Sequence, residues 1–236
     1  MKFIISPSKT MVGYFNQKYE ATIPPFQDDA FKIVKKMKKF TIEELMQSYV
    51  CSEKIAVDNQ ERFNHFGSDI FHALFSYTGH QYKNINPVNL NEEAIHFLQD
   101  HLVILSGLYG ALRPLDGISL YRLPMDFKLN NRKMSQLHKK KLKELFAGET
   151  LINLASEEYS NVISKDINMI TIDFLYENKG KMKIDSMEAK KMRGLFVRYI
   201  AENKIDSLNN LRLFDQFGYR FNEEFSSEKR LVYLKK

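Results

Sequence analysis

Short apolar runs separated by amphipathic stretches dominate the hydrophobic pattern of the chain. The runs at 2–6, 101–105 and 150–154 are short and almost entirely apolar, which predicts buried strands. The stretches at 28–66 and 132–146 repeat apolar positions every three or four residues, which predicts helices. Strands that alternate with helices predict an α/β fold of the mixed α+β kind, with helices around a central mixed sheet.

Polar residues mark the expected starts of two neighbouring helices. Thr41 with Glu44 forms a capping-box pattern, and Ser52 is a candidate N-cap for a helix that reaches Phe63. Two helices joined by a short turn beside a lysine-rich stretch resemble a helix-hairpin-helix unit, here at about 41–64. The usual hairpin glycines are absent, so an ordinary helical hairpin with a solvated basic face is the alternative.

The second half of the chain carries a hairpin signal and a further capping signal. The runs 169–176 and 181–186 flank a Glu-Asn-Lys-Gly turn, which predicts a β-hairpin. Asp185 with Glu188 predicts the start of a helix over 187–203. Three later runs are also expected to be strands: 211–214, 219–225 and 230–234.

Composition and charge narrow the classes of function. The 236 residues suit a single domain, here 1–236, with a substantial core. The chain has 35 Lys and Arg residues and 29 Asp and Glu residues. The resulting net charge of +6 favours an anionic partner. Cys51 is the sole cysteine, so no intramolecular disulfide or thiolate cluster can form, and a reducing cytoplasm is expected. No apolar window is long enough to cross a membrane, and the six histidines lack metal-binding spacing, so neither a membrane, a metal nor a cofactor is predicted.

The stretch 105–125, LSGLYGALRPLDGISLYRLPM, is the strongest candidate for a functional segment. Its glycines and prolines exclude one continuous helix, yet most of its residues are apolar and require burial. It follows a predicted strand, and open α/β sheets bind ligands beyond the carboxyl ends of strands. Its candidate polar groups are Arg113, Asp116, Tyr121 and Arg122. The alternative is a structural crossover in which Arg113 pairs with Asp116.

Two other predicted strands end in polar residues. Ser6 and Lys9 follow the first strand on a tight turn and are candidates to hold an anion, although a solvated loop is equally consistent. Asn153, Ser156 and Glu158 follow the strand at 150–154. Ser156 as a helix cap explains part of this cluster, and a shared cleft with the 105–125 stretch is the other explanation.

The helix predicted over 187–203 contains one basic residue within its apolar arc. Arg193 lies between Val197 and Ile200 at 100° per residue, while Lys190 lies opposite. A buried arginine needs a partner, and the candidates are the Asp116 or Glu158 carboxylates or the phosphate of a ligand. The alternative is that Arg193 extends along the edge of the arc with its charge in solvent.

Four segments together resemble the YaaA peroxide-stress proteins of bacteria. They are ISPSKT at 5–10, the 105–125 stretch, INLASEEYS at 152–160 and AKKMRGLFVRYI at 189–200. The similarity extends nearly end to end. The departures are Ser8, Leu120 and Glu157, where the family commonly has alanine, proline and aspartate.

This resemblance implies a compact mixed α/β domain, a positively charged cleft and a helix-hairpin-helix-like unit that binds double-stranded or branched DNA. It also implies a role in surviving hydrogen peroxide, with less free iron and less damage to DNA. The residues expected to contact DNA or a small phosphorylated ligand are Ser6, Lys9, Lys54, Arg113, Tyr121, Arg122, Asn153, Ser156, Lys190 and Arg193. The competing hypothesis is an enzyme acting on a nucleotide or nucleobase, by a glycosylase-like or lyase-like reaction, with Asp116 or Glu158 as general acid or base.

Overall fold

A computed structural model describes residues 1–236 of the chain. Its main feature is a nine-stranded mixed sheet surrounded by helices. The strands of this sheet are β1 (Lys2–Ile5), β3 (Leu102–Ser106), β4 (Gly110–Leu112), β8 (Thr150–Leu154), β9 (Asn168–Asn178), β10 (Lys181–Lys183), β11 (Asp215–Gln216), β12 (Tyr219–Ser227) and β13 (Arg230–Lys235). Two small ladders are formed by β2 (Phe71–His72) with β5 (Gly117–Ile118) and by β6 (Lys128–Leu129) with β7 (Arg132–Lys133).

Ten α-helices pack around the sheet. They are α1 (Gln27–Met37), α2 (Ile42–Tyr49), α3 (Glu53–Asn64), α4 (Ala73–Ser76), α5 (His80–Ile85), α6 (Glu92–His101), α7 (Met134–Leu145), α8 (Glu157–Ser160), α9 (Ser186–Asn203) and α10 (Leu208–Arg212). A short 3-10 turn spans Pro87–Asn89. No helix of the structure combines the length and apolar composition needed to cross a membrane.

The strand order is β11-β12-β13-β9-β8-β1-β3-β4, with β10 paired to β9. The inner strands β13, β9, β8, β1 and β3 run parallel, whereas β4, β10, β11 and β12 are antiparallel to their neighbours. Consecutive residues of β3 are all buried, although they point to opposite faces, so helices cover this sheet on both faces. The chain is therefore a single compact α/β domain, and the predicted mixed sheet is confirmed.

Most of the predicted elements form, and two predictions are wrong. The segment 211–214 was expected to be a strand, but it belongs to α10 and the residues after it, because the Ser207 side chain accepts from the Asn210 amide and starts a helix there. The helix expected from residue 132 begins instead at Met134, since Arg132–Lys133 pairs with β6 as β7. The ambiguous run at 70–77 divides into β2 and α4.

Helix α9 is held between the sheet and α5. The Asp185 carboxylate accepts from the amides of Met187 and Glu188, which confirms the predicted cap. On one side, Phe196 packs against Phe174 and Tyr233 of the sheet. On another side Gly194 faces α5, where an added Cβ would lie 2.2 Å from the Gln81 carbonyl oxygen. Helix α9 can approach α5 so closely only because this residue has no side chain.

Helices α2 and α3 are joined by a short turn, which is common to both interpretations of this segment. The Thr41 hydroxyl accepts from the Glu44 amide while the Glu44 carboxylate accepts from the Thr41 amide, so the capping box is confirmed. The turn contains no glycine, and Val50 itself adopts the left-handed conformation with φ 48° and is 91% exposed. Ser52 precedes α3 but its hydroxyl caps no amide. The amides at the start of α3 are therefore free of a side-chain partner.

Candidate functional site

A cleft of about 200 Å³ lies beyond the carboxyl ends of β1 and β8. Four separate parts of the chain form its walls: the exit from β1, the turn between α2 and α3, the segment 121–126 and the start of α8. The lining residues are Pro7, Ser8, Lys9, Ser48, Tyr49, Val50, Tyr121, Arg122, Leu123, Pro124, Asp126, Glu158 and Tyr159. Open α/β sheets place ligand sites at this edge, so the cleft is the candidate functional site.

Charges of both signs face the cleft. Lys9 and Arg122 supply two cations, and Asp126 and Glu158 supply two carboxylates. None of these four side chains forms an ion pair, although ion pairs occur on other surfaces of the molecule, such as Arg198 with Glu202. The cleft therefore holds four charged groups that are available to a ligand.

The electrostatics of the cleft act most visibly on Glu158. The surrounding protein atoms, and then the negative charge of Asp126, raise the pKa of the Glu158 carboxyl above its ordinary value, while Lys9 and the Met125 amide oppose this shift. A carboxyl whose pKa is raised in a cleft is suited to exchange a proton or to donate a hydrogen bond. Glu158 is therefore the group in the cleft best suited to acid–base chemistry.

The main chain of Arg122 is anchored to the α2–α3 hairpin. The Asn59 side chain accepts from the Arg122 amide at 2.8 Å and donates to the Arg122 carbonyl at 2.9 Å. The Tyr49 hydroxyl donates to the same carbonyl at 2.7 Å. Because Asn59 is almost fully buried, these bonds are shielded from water. The hairpin and the segment that carries Arg122 are therefore joined directly at the cleft.

Tyr121 closes the inner wall of the cleft through a buried network of hydroxyl groups. Its hydroxyl lies 2.7 Å from the Tyr77 hydroxyl and 2.6 Å from Ser106 Oγ at the end of β3. Burial raises the pKa of Tyr121 to about 12. Tyr121 therefore stays neutral, and its hydroxyl is used within the protein while its ring lines the cleft.

Ser6, Asn153 and Ser156 lie at the same edge of the sheet but bond to protein groups. Ser6 Oγ accepts from the Ser156 amide at 2.9 Å, which joins the ends of β1 and β8. Asn153 accepts from the Ala155 amide and donates to Thr171 of β9. None of the three lines the cleft, and the structural contacts account for their positions. The Ser156 hydroxyl also fails to cap α8 and instead lies 3.2 Å from Ser6 Oγ.

Arg113 and Asp116 are not brought to the cleft. Strand β4 runs antiparallel to β3 and carries the chain back toward the amino ends of the parallel strands, where Arg113 lies beside Lys2 and Gln99. The Asp116 carboxylate is completely buried and accepts from the Arg113 guanidinium, the Arg113 amide and the Thr22 hydroxyl. Arg113 and Asp116 therefore pair with each other, which is the alternative stated from the sequence.

The remaining candidates are basic residues on α3 and α9. Lys54 is exposed in the first turn of α3 and Lys190 is exposed on α9; neither forms an ion pair or lines the cleft.

Arg193 is half-buried, and its Nε atom has no hydrogen-bond partner. Neither Asp116 nor Glu158 pairs with it. Burial lowers the pKa of the Arg193 guanidinium, and the carboxylate of Asp173 opposes this effect.

Several residues that line the cleft are not among the candidates predicted from the sequence. Asp126 follows directly on the 105–125 stretch, and Ser48, Tyr49 and Val50 come from the end of α2. Asp126 could have been predicted, because it is the first charged residue after an apolar segment that follows a strand. The residues of α2 could not have been predicted, since their position at the cleft depends on tertiary contacts between the hairpin and Arg122. Nowhere in the structure are three or more His, Cys, Asp or Glu side chains arranged to hold a metal ion.

The fold defines a single-domain α/β protein with a cleft of mixed charge at the carboxyl edge of its sheet. A family model described as "Peroxide stress protein YaaA" matches residues 1–225. The chain belongs to this family of peroxide stress proteins, as its sequence motifs predicted.

Curated relatives cover the chain completely. A UPF0246 protein of Rickettsia bellii is 38% identical over 248 residues, which span all of both chains. A UPF0246 protein of Lachnoclostridium phytofermentans is 34% identical over 249 residues, covering all of this chain and 96% of the relative. A UPF0246 protein of Francisella tularensis is 34% identical over 254 residues, again over both full lengths. The similarity to these proteins therefore concerns the whole domain, the cleft included.

Proposed function

We propose that this peroxide stress protein binds DNA through the rim formed by the α2–α3 hairpin and the cleft. The observation that carries the proposal is the anchoring of Arg122 by Asn59, since it fixes a cleft cation to the helical hairpin. Lys9 adds a second cation on the same cleft, and Lys54 lies in the first turn of α3, next to the hairpin turn. These cations would hold backbone phosphates without reading bases.

The start of α3 supports this proposal. Backbone amides at a helix N-terminus, together with the helix dipole, attract phosphate groups. Ser52 leaves these amides without a side-chain partner, and Lys54 makes no ion pair that would compete for a phosphate. Glu53 also lies in this first turn and would weaken the attraction, so the contribution of α3 depends mainly on its amides and on Lys54.

The biological part of the proposal is protection of DNA during hydrogen peroxide stress, in the cytoplasm. Membership in the family supports the stress-response role. A protein that covers the phosphate backbone would shield the DNA that it occupies. A limit on free iron belongs to the same proposal as an effect on the cell, and no residue of the chain is assigned to it.

The experiment is a fluorescence-anisotropy titration of a labelled duplex at several salt concentrations. If n phosphates are contacted, log affinity should fall with a slope of about −0.9n against log salt concentration. The variants Lys54→Glu and Arg122→Glu should weaken binding and flatten this slope by about one unit each. The matched control is Lys165→Glu, because Lys165 is exposed and unpaired but precedes β9 at the opposite edge of the sheet.

The result can contradict the proposal in two ways. An affinity independent of salt would exclude phosphate contacts as the basis of binding. Equal losses in the Lys165, Lys54 and Arg122 variants would show that only net charge matters and that the rim is not the binding surface.

A second candidate function is an enzyme that acts on a nucleotide or nucleobase, and the observation that favours it is the raised pKa of the Glu158 carboxyl. Glu158 would act as general acid or base while Lys9 and Arg122 hold phosphate. The test is base release from duplexes with damaged bases. Release by the wild type that Glu158→Gln abolishes would support this function, and no release from any substrate would count against it.

A further inference from the structure

The cleft presents two cations and two carboxylates that do not pair with one another. Lys9, Arg122, Asp126 and Glu158 all face the same volume of about 200 Å³. Outside the cleft, charges on the surface do pair, as Arg230 does with Asp173 at 2.7 Å and Lys236 with Asp215 at 2.7 Å. The four cleft side chains come from three segments of the chain, and no ion pair joins them.

A phosphate group alone would use only half of this arrangement. It would bind Lys9 and Arg122 but leave Asp126 and Glu158 without a partner. A ligand with one anionic group and several N–H donors would use all four side chains, because carboxylates accept from N–H groups and the cations bind the anion.

The walls of the cleft carry aromatic as well as charged side chains. The rings of Tyr121 and Tyr159, both buried, provide apolar surface on its walls.

We propose that the cleft binds a single nucleotide, with its phosphate on Lys9 and Arg122 and the N–H edge of its base on Glu158 and Asp126. This inference rests on the proposed function and deepens it, because it names the chemical unit that the cleft receives. The nucleotide is either free or turned out of a DNA strand, and the recognised chemistry is the same in both cases.

Guanine is the base that matches a carboxylate most closely. Its ring N–H and its amino group lie side by side and can donate two parallel hydrogen bonds to one carboxylate. A well-formed bidentate contact of this kind is worth a factor of about ten or more in affinity. Guanosine 5′-monophosphate is therefore the informative probe, and ribose 5-phosphate is the matched probe without a base.

The first arm of the test measures both probes by isothermal titration calorimetry on the full chain. The wild type should bind guanosine 5′-monophosphate about tenfold or more tightly than ribose 5-phosphate. In Glu158→Gln with Asp126→Asn this ratio should fall to about one to threefold, and Lys9→Gln should weaken both probes together. Glu157→Gln is the control, since Glu157 is exposed on α8 but does not line the cleft.

The second arm distinguishes the source of the nucleotide. A duplex with one unpaired guanine is compared with the fully paired duplex at one salt concentration. Tighter binding of the bulged duplex indicates a nucleotide within DNA, and equal binding together with a positive first arm indicates a free nucleotide; both support the inference.

The inference and the proposed function fail differently. Equal affinity of the wild type for the two small probes, or tighter binding of guanosine 5′-monophosphate after removal of the two carboxylates, would overturn the single-nucleotide site. Removing the carboxylates should leave paired duplex binding unchanged or tighter, because repulsion of backbone phosphates is relieved. A flat salt response of the paired duplex would instead overturn the proposed duplex contact and leave the first arm intact.

Discussion

Asn59 bonds to both main-chain polar groups of Arg122, with its side-chain oxygen accepting from the amide and its side-chain nitrogen donating to the carbonyl. The two residues are 63 positions apart in sequence. This amide pairing reproduces, with one side chain, the two hydrogen bonds that a neighbouring strand would supply. It determines where the Arg122 side chain enters the cleft.

Replacing Asn59 by Ala should therefore destabilise the fold and weaken duplex binding. The variant loses two buried hydrogen bonds and leaves the Arg122 amide without its partner, which should lower the free energy of unfolding by about 2–4 kcal/mol. Urea denaturation and the anisotropy titration measure the two effects. Tyr49→Phe is the graded comparison, because it removes one of the two bonds to the Arg122 carbonyl and should cost only about 1 kcal/mol. A stable Asn59→Ala variant with normal binding would contradict the coupling of hairpin and cleft.

Gly194→Ala should separate α5 from α9. The new Cβ would lie 2.2 Å from the Gln81 carbonyl oxygen and 2.8 Å from Asn84 Cβ, and main-chain atoms cannot rotate away as a side chain can. The gain of about 1 kcal/mol in helix propensity should be outweighed, with a net loss of about 2 kcal/mol in unfolding free energy. Lys190→Ala, an exposed position one turn earlier on α9, should change stability by less than about 0.5 kcal/mol. Similar urea midpoints for the two variants would disprove the close approach.

His138 should make the fold less stable in mild acid. Burial lowers the pKa of its imidazole, and the contact of Nε2 with the Gly107 carbonyl at 2.8 Å only partly opposes this shift. The unfolded chain therefore binds a proton as pH falls below about 6.5, before the folded chain does, and stability decreases through that window by at most ~1.4 kcal/mol per pH unit.

Urea titrations at pH 7.5 and pH 5.5 measure this effect of His138. The stability difference between the two pH values should be smaller in His138→Gln than in the wild type. Equal pH dependence in the two proteins would refute the assignment to His138.

Arg193→Met should stabilise the protein. The Arg193 guanidinium is desolvated at Nε without a hydrogen bond, and the Asp173 carboxylate is already bonded to Arg230 at 2.7 Å. Replacing an unpaired, partly buried charge by an apolar side chain of similar length should raise the free energy of unfolding by about 1 kcal/mol.

Arg198→Met gives the opposite expectation on the same helix. Arg198 donates to the carbonyls of Ile85, Asn86 and Asn89 and pairs with Glu202, so its loss should be destabilising. Thermal unfolding of both variants checks the contrast. If Arg193→Met also destabilised the protein, Arg193 would have a partner that the structure does not show.

Local signals in the sequence predicted local structure well. The capping patterns at Thr41 and Asp185 start helices where expected, because a side-chain oxygen and a nearby amide interact whatever the rest of the fold does. The hairpin at 177–180 likewise depends only on its own turn residues. The strand expected at 211–214 does not form for the same local reason. Ser207, whose side chain starts a helix, lies before the apolar run that suggested a strand.

The cleft could be predicted only in part, because its residues come together through topology. Lys9 and Glu158 follow parallel strands that end at one edge of the sheet, which a sequence pattern can suggest. Arg113 follows β4, which runs antiparallel to β3, and the apolar residues between Gly107 and Gly110 give no clear hairpin signal for the tight connection between these strands. The placement of the α2 end beside Arg122 depends on side-chain contacts across distant segments, which no local pattern encodes.

The position of β13 has a consequence for biosynthesis. This strand lies between β9 and β12 in the sheet, although it follows both of them in the chain. When only the residues up to β12 have been translated, one backbone edge of β9 therefore lacks its partner strand. The pair of β11 and β12 also lacks the strand that joins it to the rest of the sheet. Completion of the sheet is thus delayed until after β12 has been translated, and the open edge of β9 is the surface that a chaperone would have to shield in the meantime.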